Sequence, residues 1–83
     1  GSMRVDKFIK NSRLIKRRTV AKQACDTGRV SVNGKTVKAG FELSVGDELA
    51  IAFGDKTIKV EVLDLKETSF KEDSKEMIRI IQG

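Results

Sequence analysis

The run Gly28-Arg29-Val30-Ser31-Val32-Asn33-Gly34-Lys35-Thr36-Val37 decides the fold, because along it the chain changes from helical to extended patterning. Gly28 predicts a helix stop, since glycine takes positive φ without steric cost. Val30-Ser31-Val32 alternates as a strand. Asn33-Gly34 is the pair that tolerates the two positive φ angles of a type I′ turn, and Lys35-Thr36-Val37 returns as the second arm of a hairpin.

Upstream, Val5, Phe8 and Ile9 fall at i, i+3 and i+4 and predict a helix over 5–12, with Arg4, Lys7 and Asn11 on a neighbouring polar face. Asp6 stands near the helix start, where negative charge suits the dipole, and can pair with Lys10 at i+4; it reads as a pairing residue and not as a binder. Arg13-Leu14-Ile15-Lys16 reads as a tight connection with Leu14 and Ile15 turned inward. A second helix is expected over 18–27, burying Val20, Ala21, Ala24 and Cys25, small residues that permit close approach. Arg18 and Lys22 then share a face.

Downstream, residues 38–44 read as a surface loop anchored by Phe41 and Leu43, and Val45-Gly46-Asp47-Glu48 as a turn into a strand over 49–53. Gly54-Asp55 makes a second hairpin. Residues 56–65 alternate, with Ile58, Val60 and Val62 on one side. Ser69 is positioned to cap a short helical turn running to Ser74, with Glu72 as its capping-box partner. The β-branched Ile78, Ile80 and Ile81 favour a last strand over 77–81. The expected class is α+β: two N-terminal helices on a small, mostly antiparallel sheet, followed by a short helical turn and a strand.

Eighty-three residues suffice for one domain. Gly1-Ser2 ahead of Met3 has the form of a scar from tag removal and is set aside. A single domain is expected over 3–83, with a core over 3–53 and a C-terminal extension over 54–83. Histidine is absent, which removes the usual general base and the commonest metal ligand, and no cofactor or metal is expected. The one cysteine, Cys25, cannot form an internal disulfide and reads as a small buried hydrophobe. No apolar run approaches the ~18–20 residues that span a bilayer. A soluble, cytoplasmic monomer is expected.

Charge is placed unevenly. Residues 3–40 hold eleven basic residues against Asp6 and Asp26 alone, a net of +9, whereas residues 41–83 hold six basic and ten acidic residues, a net of −4. A long, nearly acid-free segment with apolar positions at helical spacing fits a polyanion partner. A membrane-surface helix would carry a wide apolar face, which this segment lacks, so nucleic acid is favoured.

The helix opening Arg4-Val5-Asp6-Lys7-Phe8-Ile9, the basic connection, the stop at Gly28-Arg29-Val30, then Val32-Asn33-Gly34-Lys35 and Val45-Gly46-Asp47-Glu48, together resemble the alpha-L RNA-binding motif of the S-four domain family. The resemblance is closest over residues 3–53. The whole length is similar to the stand-alone, ribosome-associated heat-shock and ribosome-quality-control members, the latter especially in Ser12-Arg13-Leu14-Ile15-Lys16-Arg17-Arg18-Thr19. It implies a protein that meets large ribosomal subunits holding a stalled peptidyl-tRNA. There it would touch ribosomal RNA and tRNA beside a partner factor that elongates the tail of the stalled chain. In one respect the chain departs from the pattern: Arg17 stands before the second helix where many members place a capping Ser or Thr, so a capping contribution of about 1 kcal/mol is missing there.

The expected RNA-binding residues are Arg4, Lys7, Arg13, Lys16, Arg17, Arg18, Lys22 and Lys38, gathered around the start of the second helix, where free amides and the dipole favour phosphate. For Arg13 the alternative is a pair with an acid of the sheet half. Arg17 and Arg18 are expected to be replaceable without loss of stability. At least three of Phe8, Phe41, Phe53 and Phe70 read as core, which argues for shape and phosphate recognition over base stacking. The acidic half is expected to face away from the RNA. Rival readings are the RNA-binding part of a larger RNA-modifying enzyme, a ribosome assembly factor, and a protein adaptor that uses the acidic half.

Overall fold

A computed structural model describes residues 1–68 and 70–83 of the chain. The expected capping role of Ser69 lies outside the described residues. The elements follow in the order β1 (Met3–Arg4), α1 (Val5–Asn11), α2 (Arg18–Asp26), β2 (Val30–Val32), β3 (Lys35–Thr36), β4 (Glu42–Leu43), β5 (Glu48–Phe53), β6 (Lys56–Val62), α3 (Lys71–Ser74) and β7 (Ile78–Gln82). Five strands form one antiparallel sheet in the order β3-β2-β5-β6-β7, and β1 pairs with β4 in a separate two-stranded ladder.

The decisive run behaves as its chemistry dictates. Gly28 ends α2 at φ 79°, and Asn33 and Gly34 turn the hairpin at φ 51° and 85°. The Asn33 side chain then reaches the second landmark: its Oδ1 accepts the Glu48 amide at 2.9 Å, and its Nδ2 donates to Asp47 Oδ1 at 3.1 Å. Asp47 Oδ2 in turn accepts the Ser44 amide at 2.9 Å. Two polar motifs that are separate in sequence thus form one clasp at the end of the sheet.

Phe8, Ile9, Cys25, Leu43, Leu49, Ile51, Val60, Val62 and Met77 are all essentially inaccessible and belong to one core. Leu14 and Ile15 pack against it from the connection, as expected. Val60, Val62 and Met77 tie the C-terminal third into that core, and Leu63 donates its amide to the Met77 carbonyl at 2.8 Å. Ala21, Ala24 and Cys25 form the buried side of α2, where their small size lets α1 pack closely. Burial pushes the Cys25 thiol up to about 11, with Asp6 and Asp26 adding to the shift, in keeping with an inert, buried role.

Three expectations are corrected. Val20 is 41% exposed, because it sits at the edge of the apolar stripe and turns outward with the first turn of α2. Phe41 is exposed to the same degree, and the loop is anchored by Ala39 and Leu43 instead. That loop ends in a strand, not in irregular chain: Met3 pairs with Leu43 and Arg4 with Glu42.

Candidate nucleic-acid interface

The start of α1 has no side-chain cap, and the backbone of residues 39–41 does that work. Val5 donates its amide to the Phe41 carbonyl at 2.8 Å, and Asp6 donates its own to the Ala39 carbonyl at 3.3 Å. Lys7 gives its amide to Asp6 Oδ1 at 2.9 Å. Two orphan donors of the first turn are thus satisfied by a loop far along the chain and a third by the Asp6 carboxylate.

Asp6 is buried beneath this turn. Arg4 donates to it through Nε at 3.1 Å and through a terminal nitrogen at 3.2 Å, while Arg18 Nε of α2 stands 3.5 Å from Oδ2. Burial by itself drives the carboxyl pKa up. The Arg4 hydrogen bonds, the Arg18 and Arg4 charges and the Lys7 amide outweigh it and hold the group below its ordinary value. Asp6 therefore draws countercharge from two arginines on different elements. A lone acid at the start of a basic segment marks Asp6 as a pairing residue in the sequence, without saying which cations it meets.

The two arginines remain about half exposed on their other faces. Lys16, Arg17 and Arg18 follow one another on the surface at the mouth of α2. No side chain caps that helix, as the Arg17 departure implied. Lys38 is exposed on the loop whose later carbonyls hold α1.

The eight expected binders fall into groups. Arg4 and Arg18 are shared with Asp6, Lys22 pairs with Asp26 at 3.2 Å, and Lys7 pairs with Glu67. Lys16, Arg17 and Lys38 have no ion pair among the described residues. Arg13 occupies the left-handed region at φ 63°, in the turn that closes α1. The Lys7–Glu67 pair brings part of the acid-rich half against α1. The Asn11 side chain binds the Lys66 carbonyl there at 3.0 Å.

The aromatic residues divide differently from the expectation. Phe8 is buried and Phe53 packs against the core, but Phe41 is 41% and Phe70 is 69% exposed. Among the described residues no cluster of metal-ligating side chains occurs, and no helix is long and apolar enough to cross a membrane.

Residues 3–49 match the family described as the S4 domain. Over 78 residues the chain is 51% identical to the RQC P-site tRNA stabilizing factor of Halalkalibacterium halodurans, covering 94% of this chain and 89% of the relative. It is 50% identical over 80 residues to the protein of the same name from Bacillus subtilis, covering 96% and 93%. These relatives are named as stabilizing factors and not as enzymes. The trimeric structure of Vibrio cholerae heat shock protein 15 superposes with a TM-score of 0.88 at 18% identity, over 96% of this chain and 82% of that one, a likeness of fold.

Proposed function

The chain belongs to the S4-domain family, on the branch of the RQC P-site tRNA stabilizing factors, and from that membership we propose that it binds structured RNA on the ribosome. Its ligands are tRNA and the ribosomal RNA of the large subunit, and its task is the quality control of stalled peptidyl-tRNA complexes. The observation that carries this reading is the exposed group Lys16-Arg17-Arg18 at the uncapped mouth of α2, with Arg4 oriented beside it by Asp6.

Arginine forks grip phosphate oxygens in two-pronged fashion, and a helix start adds amides and a favourable dipole. Fixing Arg4 and Arg18 on one buried carboxylate removes rotamer freedom before RNA arrives, so less is lost on binding. The recognition is of phosphates and of the shape of folded RNA. Lys7, Arg13, Lys22 and Lys38 extend the surface. The protein acts without catalysis, in the cytoplasm, as a monomer beside the factor that elongates the tail.

The test is co-sedimentation with large subunits that carry peptidyl-tRNA and with subunits stripped of it. Retention on the first and release from the second is the expected result. Equal retention on both would make it an assembly or general RNA-binding factor instead.

A further inference from the structure

Between the β2–β3 hairpin and residues 38–41 lies an open groove of about 680 Å³. Its volume falls in the range of about 300–1,000 Å³ typical of small-molecule sites. Val32 and Val37, both nearly inaccessible, form its floor, and Phe41 forms a wall. Lys35 and Lys38 line it as well, and neither has an ion pair among the described residues. An apolar slot with an exposed aromatic ring and two free ammonium groups fits a flat, apolar-faced ligand that carries negative charge on its flanks.

The groove adjoins the cationic surface. The Phe41 carbonyl holds the Val5 amide, and Ala39 holds that of Asp6, so the wall of the groove and the Arg4–Asp6–Arg18 cluster rest on the same backbone.

We propose that this groove receives one unpaired nucleobase of the bound RNA, which stacks on Phe41 while Lys35 and Lys38 hold the flanking phosphates. The inference rests on the RNA-binding reading above. Every base has a stackable face, and folded RNA offers bases at bulges and loops, so the site selects for an unpaired nucleotide more than for its identity.

The probe is a short RNA duplex, compared with the same duplex bearing one bulged 2-aminopurine. The unaltered protein is expected to bind the bulged RNA about five- to 150-fold more tightly, the range that base–aromatic stacking supplies. Its binding should also change the 2-aminopurine fluorescence. Phe41→Ala and Phe41→Leu should abolish the preference while still binding the plain duplex, and Phe41→Trp should keep it. Circular dichroism melts confirm that each variant is folded. Equal binding of both RNAs by the unaltered protein overturns the proposal and leaves the RNA reading intact. So does a preference that survives in Phe41→Ala and Phe41→Leu, in which case the groove serves another purpose, a protein side chain among them. Failure to bind either RNA overturns both readings.

Discussion

Asp6 of α1 and Arg18 of α2 meet at 3.5 Å beneath the surface that carries the positive charge, with Arg4 on the same carboxylate. Arg18 thus has two roles, and its neighbour Arg17 shares only the exposed one. It locks the two helices together with one edge of its guanidinium and offers the rest to solvent.

Single substitutions should separate these roles. Arg17→Ala is expected to weaken co-sedimentation with large subunits while leaving the melting temperature within about 2 °C, the scatter of an ordinary surface change. Arg18→Ala should weaken binding and also lower the melting temperature by about 4–8 °C, since Asp6 stays buried with one partner fewer. Equal melting temperatures for the two variants would show that the clamp contributes nothing to the fold.

The same carboxylate predicts a pH dependence. Its pKa is lower in the folded chain than the ordinary value of 3.8. The stability it contributes is therefore complete above that ordinary value and is lost as pH falls through the lower folded one. Asp6→Asn should cost about 1–2 kcal/mol near neutral pH. The gap to the parent should narrow over the acid range below 3.8 in urea titrations. A gap that is constant across that range would assign the loss to packing instead.

The clasp at Asn33 can be dissected by two changes. Asn33→Gly keeps the left-handed φ but removes the bonds to Asp47 and Glu48, a loss of about 1 kcal/mol. Asn33→Ala adds the strain of a Cβ at positive φ, about 1 kcal/mol more. Urea midpoints should rank parent, Gly, Ala from highest to lowest.

Binding should weaken steeply with salt. If about five phosphates are neutralised, affinity falls by roughly two decades between about 50 and 200 mM salt, using the single-strand coefficient as a floor. A flat titration would remove the electrostatic basis of the cationic surface.

Much of this was legible where local chemistry dominates. Gly28, Asn33-Gly34 and Gly54-Asp55 fixed turns because their backbone angles leave few alternatives. The apolar periods of 5–9 and 58–62 chose helix and strand correctly. The β1–β4 ladder was not legible, since strands of two residues carry no period. Neither were the partners of Lys7 and Arg18, because contacts between Lys7 and Glu67 or between Arg18 and Asp6 depend on how elements pack. For Phe41, hydrophobicity alone suggested burial, and only the folded loop shows its ring lining a groove.

The pairing of β1 with β4 also sets an order of events during synthesis. A ribosome adds about 5–20 residues per second. Met3 therefore exists for about 2–8 s before Leu43, its partner, has been made. Until then the amides of Val5 and Asp6 have no carbonyls to receive them, and the first turn of α1 is free to fray. The cationic surface is consequently a late product of folding, and a nascent chain ending at α2 would carry the charges of a binder without the means to hold them in place.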